Sequence, residues 1–124
     1  MKKEKMTKEE LHKYGIQLMI SYLNKREYTI METNYLLDTN PQIVAQKGNE
    51  LAFILVSTFM YPQKTVSFDK VTIDVLKKSA ENYGAECYVA KIGLANAEAK
   101  NTKELAVPYK DIDFIVKFKG LERL

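Results

Sequence analysis

The run LAFILVSTFM, Leu51 to Met60, restricts the possible folds more than any other stretch of this chain. Successive residues of a strand point to opposite faces of a sheet. A run that is apolar on both faces must be covered on both sides, which excludes a surface hairpin and suits the central strand of a layered α/β sheet. The preceding residues supply its neighbour: PQIVAQKGNELAFILVST, Pro41 to Thr58, reads as two extended segments joined at Lys-Gly-Asn-Glu.

The flanking segments read as further elements of one α/β unit. In TKEELHKYGIQLMISYLNKR, Thr7 and Glu10 match a capping box, and Leu11, Tyr14, Leu18 and Tyr22 recur at helical spacing as the expected buried face. Tyr28 to Leu37 favours extended structure, and Asp38, Thr39, Asn40 and Pro41 mark a turn. After Tyr61-Pro62, Asp69 can cap a second helix, DKVTIDVLKKSAENYG, with Val71, Val75 and Leu76 expected inward and Gly84 as its stop. That helix is long enough for a crossover, so AECYVAKIGLA can lie parallel to the central strand. Asp111 and Asp113, with Ile112, Phe114 and Val116, alternate as in a half-exposed edge strand.

Composition narrows the function classes. The 124 residues are expected to form a single domain, 1–124, and no apolar run approaches the roughly 20 residues that span a bilayer. The basic start leads into an amphipathic helix and not into a signal sequence, so a cytoplasmic, bacterial-type protein is the expectation, with no membrane partner. A single cysteine, Cys87, rules out an internal disulfide framework and reads as a small buried hydrophobe. His12, the one histidine, reads as an exposed polar residue of the first helix, and the five glycines are too scattered for a phosphate loop. The net charge of +3 comes from 19 basic and 16 acidic residues dispersed along the chain, with no basic block.

The order helix, three strands, helix, strand, with the spacing of Gly15, Tyr22-Leu23, Asn34, Phe53 and Val56, resembles the PD-(D/E)XK nuclease-like superfamily in its YraN-type, Holliday-junction-resolvase-like branch. The resemblance runs without a gap from Gly15 to Thr58 and implies a restriction-endonuclease-like α-β-β-β-α-β core, a mixed central sheet flanked by helices. It also implies where a catalytic centre would lie. The helix Glu of that branch falls at Ile16 or Gln17, the first-strand Glu and Asp at Asn40 and Gln42, and the Glu-x-Lys pair at Leu55 and Ser57. Carboxylates there hold a divalent cation through hard oxygen ligands and the cation activates water. With those positions altered, the expectation is no metal, no cofactor and no catalytic residue.

Three functions follow as expectations. The first is a catalytically inactive nuclease fold that binds DNA or RNA weakly and without sequence preference, using Lys13, Lys25, Arg26, Lys47 and Lys64. The second is a scaffold subunit for a protein partner, with a homodimer among its forms. The third is a nuclease whose acids have relocated to Glu32, Asp38, Glu50 or Asp69. Tyr61, Tyr83 and Tyr109, near Lys64, Lys77 and Lys110, are candidate stacking residues, although tyrosine serves equally in cores and interfaces.

Overall fold

The computed structural model describes residues 4–37, 40–62 and 68–124. Helix α1 (Lys8–Lys25) opens with the full capping box: Glu10 N donates to Thr7 Oγ1 at 3.1 Å and Thr7 N donates to Glu10 Oε1 at 3.0 Å. Three strands follow, β1 (Thr29–Thr33), β2 (Ile43–Lys47) and β3 (Glu50–Met60), each antiparallel to the one before. Gly48, at φ 60°, makes the tight β2–β3 turn that a side chain would strain. Helix α2 (Lys70–Tyr83) then carries the chain across, and β4 (Ala85–Asn96) pairs parallel with β3 from Leu51↔Ala85 to Met60↔Leu94. The expected α-β-β-β-α-β core is present, and the fold is α/β with a mixed six-stranded sheet between two helices.

Two short strands complete the sheet. β5 (Phe114–Lys117) runs antiparallel to the C-terminal part of β4, while β6 (Glu122–Arg123) pairs with β4 at Tyr88 and Val89. The edge strand begins later than its alternation suggests, because Asp111 takes a left-handed backbone at φ 58° and turns the chain before Phe114. β6 had no signal in the sequence, being two exposed charged residues.

The central strand is buried on both faces, as its composition requires. Ala52, Ile54 and Val56 point to α1 and pack with Ile16, Met19, Leu23, Ile43 and Ile92. Phe53 and Leu55 point to α2 and pack with Leu76, Ala80, Cys87 and Val89. Both helices are rotated from the expected phase. The buried face of α1 is His12, Gly15, Ile16, Met19 and Leu23, not Leu11, Tyr14, Leu18 and Tyr22, which flank it half-buried. Two contacts draw that flank aside: Tyr14 packs on Phe114 at 5.3 Å and Tyr22 on Phe118 at 4.9 Å, so the far edge of the sheet receives the tyrosines. Gly15 lets the helix backbone approach β3, where any side chain would collide with Thr58.

In α2, Asp69 caps the first turn through Thr72 N at 2.6 Å and Gly84 ends the helix in a left-handed conformation. Leu76, as expected, and Ala80, one turn on, face the sheet; Val71 and Val75 are 72% and 65% exposed, contrary to expectation. His12 also departs from its exposed reading. It is buried, and desolvation pushes its pKa down against the opposing effect of a hydrogen bond with the Leu36 carbonyl. Among the described residues no helix is long and apolar enough to cross a membrane.

Candidate nucleic-acid interface

The strand pairing determines where the positions singled out by the resemblance go. Ile43 lies opposite Ile54, so Gln42, just before β2, comes next to this part of β3, where Leu55 faces α2 and Ser57 follows one repeat further along. Gln42 is fully buried and its amide continues the β2–β3 ladder. Gln42 N donates to the Ile54 carbonyl at 3.2 Å, Val56 N donates to Gln42 Oε1 at 2.8 Å, and Gln42 Nε2 donates to Asn40 Oδ1 at 2.7 Å. An amide serves there as acceptor and donor at once, which a carboxylate does not. Leu55 is fully buried in the cluster under α2. Ile16 is fully buried on the other face of the sheet, and Gln17 is exposed on α1. The structure therefore brings together Asn40 and Gln42, sets Leu55 next to them inside the core, and separates Ile16 and Gln17 from all three.

The candidate relocated acids that lie among the described residues do not converge. Glu32 is exposed on β1, Glu50 begins β3 at the turn, Asp69 is occupied as a helix cap, and Asp38 lies outside the described residues. Among the described residues no group of three or more His, Cys, Asp or Glu side chains is placed to hold a metal ion.

The predicted basic residues spread over the α1 side and the hairpin end. Lys13 lies 5.4 Å from the Tyr35 ring, and Lys25 is exposed at the C-terminal end of α1. Arg26 stacks over Tyr22 at 4.3 Å and Lys47 over Tyr28 at 5.5 Å, while Lys64 lies outside the described residues. Tyr83 packs beside Phe53 at 5.9 Å, and Lys110 is held by Glu4 and Glu10 at 3.2 and 3.4 Å.

A second basic surface adjoins Ser57, and the sequence reading missed it. Ser57 is the register partner of Lys91 on β4, and beyond them the α2-side face opens into a concavity of about 430 Å³ lined by Phe59, Tyr61, Lys91, Lys117, Lys119 and Glu122. The Lys117 ammonium sits 3.9 Å from the Tyr61 ring centroid, and Lys91 pairs with Glu122 at 3.1 Å. Its signal in the sequence was the period-2 spacing of Lys117 and Lys119 in FIVKFKG, which puts both on one side of an extended segment. Cys87, by contrast, is a core residue: its thiol donates to the Leu76 carbonyl at 3.8 Å, and burial raises its pKa away from the reactive thiolate.

The family model described as "Domain of unknown function (DUF8840)" matches residues 9–124. A UPF0102 protein of Dictyoglomus thermophilum is 39% identical over 84 residues, covering 63% of this chain and 70% of the relative. A UPF0102 protein of Dictyoglomus turgidum is 33% identical over 84 residues with the same coverage. No solved structure matches.

Proposed function

The chain belongs to the DUF8840 family and to the UPF0102 proteins of the PD-(D/E)XK-like nuclease superfamily, and from that premise we propose that it binds nucleic acid without cutting it. The observation that carries the reading is the pair Gln42–Leu55. Where two acids would face each other across neighbouring strands, one side chain is a neutral amide bonded to backbone and the other is a fully buried leucine. These residues do not fit a divalent cation, which needs several negatively charged or strongly dipolar oxygens pointed at one place. Ser57 adds a neutral hydroxyl where the superfamily's lysine would stand. Binding is sequence-independent in this reading, because exposed lysines meet phosphates and no motif for reading base edges is evident.

Two measurements test it. Branched, single-stranded and duplex DNA, and RNA, incubated with the protein in magnesium or manganese, should show no cleavage above a buffer control, and magnesium should not specifically raise the melting temperature. Metal-dependent cleavage lost in Glu32→Ala or Asp38→Ala would overturn the reading in favour of relocated acids. In titrations over a salt series, duplex affinity should fall with a log-log slope of about −0.9 per phosphate contacted. Alanine replacement of Lys13, Lys25, Arg26, Lys47 and Lys64 then measures how much of that binding they supply.

A second reading, a subunit for a protein partner, is favoured by one observation. Val71 and Val75 stand one turn apart and exposed on the outer side of α2. No nucleic-acid binding at low salt, together with a stoichiometric protein partner lost in Val75→Lys, would select it.

A further inference from the structure

The concavity beside Ser57 has a chemistry that narrows the ligand. It opens at the C-terminal ends of the parallel pair β3 and β4, where ligands of open α/β sheets characteristically bind. Among the described residues three lysines, from β4, β5 and the segment after β5, surround it, against one carboxylate, Glu122, whose ion pair is with Lys91. Lys117 and Lys119 have no carboxylate partner among the described residues. Two aromatic rings accompany the cations. Phe59 lies against Gly93, where an added Cβ would stand 3.1 Å from the ring, so the missing side chain is what lets the ring settle on β4. Tyr61 is 42% exposed and stands under the Lys117 ammonium.

We propose that this pocket takes one nucleotide of a single-stranded nucleic acid, with phosphate on Lys117 and Lys119 and the base stacked against Tyr61. The inference rests on the nucleic-acid-binding reading above and gives it a site and a strand state. A volume of about 430 Å³ lies at the small-ligand end of the range for binding pockets. It accepts one unstacked base with its sugar and phosphate, whereas a duplex keeps its bases stacked and offers the aromatic rings nothing to face. The pairing of cation with aromatic face is the arrangement that binds single strands with little regard to sequence.

The test uses the full chain. Because it contains no tryptophan, Tyr61→Trp places a sole indole in the pocket, and a short oligothymidine should quench it saturably, whereas the same strand in duplex with oligoadenine should do so weakly. In parallel, anisotropy of a labelled oligothymidine should show affinity falling roughly tenfold or more in Tyr61→Ala, the size of one lost base stack. The double variant Lys117→Gln, Lys119→Gln should weaken binding and flatten the salt slope by up to about 1.4, two phosphate contacts on a single strand. Lys13→Gln with Lys25→Gln should change both less. All these side chains are on the surface, so unchanged melting temperatures confirm that each variant is folded. Binding that survives the pocket substitutions and is lost in Lys13→Gln, Lys25→Gln overturns the pocket while leaving the nucleic-acid reading standing. No binding of any strand at low salt overturns both.

Discussion

One face of the β3–β4 pair is built in two halves of opposite character. Nearer the start of the strands, Phe53, Leu55, Cys87 and Val89 are roofed by Leu76 and Ala80 of α2 and form a closed apolar cluster. Further along, the residues in the same alternation are Ser57, Phe59, Lys91 and Gly93, and among the described residues no helix roofs them, leaving the concavity. The backbone continues unchanged through both halves, with residue-by-residue parallel pairing from Leu51 to Met60. What differs is cover. α2 spans Lys70–Tyr83, and the cluster beneath it ends at Leu55 and Val89. In the covered half a side chain is judged by how it packs, and in the open half by what it offers to a ligand. Leu55 lies on the closed side of this boundary and Ser57, two residues on, beyond it.

The largest effect expected from this division is at Leu55. Leu55→Glu would put an unpaired carboxylate into the α2 cluster and should cost about 3–5 kcal/mol, enough to threaten folding of a domain of this size. Ser57→Glu, two residues on, is half-buried beside Lys91 and should cost less than about 1 kcal/mol. Urea denaturation of the two variants measures the contrast. Similar midpoints would mean that the boundary does not lie between these positions.

The open half is supported from behind, and Gly15 tests that support. On the reverse side of β3 the backbone of α1 comes so close that an added Cβ would stand 2.8 Å from Thr58 Cβ and nearer still to its hydroxyl. Gly15→Ala should therefore destabilise the protein by about 1–3 kcal/mol, despite the better helix propensity of alanine. Adding Thr58→Ala removes the hydroxyl and methyl but keeps Cβ, so it should restore only part of the loss. Full additivity of the two changes in a double-mutant cycle would show that helix and strand do not meet there.

The features legible in the sequence are those set by local patterning. The two-sided apolar run, the Gly48 turn, the Thr7 and Asp69 caps and the Gly84 stop each act over a few residues, and each is found as read. Rotation of the helices was not legible, because Leu11 and Leu18 are as apolar as Ile16 and Met19, and Tyr14 and Tyr22 bring rings that pack as readily in a core as at its edge. The choice was made by Gly15 against Thr58 and by Phe114 and Phe118 drawing the tyrosines aside. Val71 and Val75 were misplaced for a similar reason: hydrophobicity alone does not exclude an outer face. The lysine pocket depends on residues 59, 91 and 117 becoming neighbours through a parallel crossover and an antiparallel return. No window along the chain contains all three.

A smaller effect is expected from pH, on the α1 side. Burial holds the folded pKa of His12 below its unfolded value, so as pH falls the unfolded chain takes up this proton first. Stability then rises with pH across the window. His12 should cost nothing at about pH 8, and the loss should begin as pH drops through about 6.5 and level off below the folded pKa. His12→Gln should flatten that part of the profile. An unchanged slope in urea denaturation midpoints between about pH 8 and about pH 5 would mean that the side chain is solvated in the folded protein.

The smallest stability effect belongs to the open half, and there it separates binding from folding. Lys91 and Glu122 pair at 3.1 Å with side chains 41% and 53% exposed, the kind of surface ion pair that contributes little to folding. Glu122→Gln should leave the melting temperature within about 2 °C. It nevertheless removes the one carboxylate that lines the pocket among the described residues and releases the Lys91 ammonium, so that three described lysines instead of two become available to an anion. The expected result is tighter oligothymidine binding with a salt slope steeper by up to about 0.7, one further phosphate on a single strand. Glu122 also lies in β6, opposite Val89 of the covered half. A large drop in melting temperature with no gain in affinity would therefore mean that this carboxylate serves the closed cluster and that the open half ends before Lys91. Tighter binding at unchanged stability would place the boundary between Val89 and Lys91 on β4, in register with the one between Leu55 and Ser57 on β3.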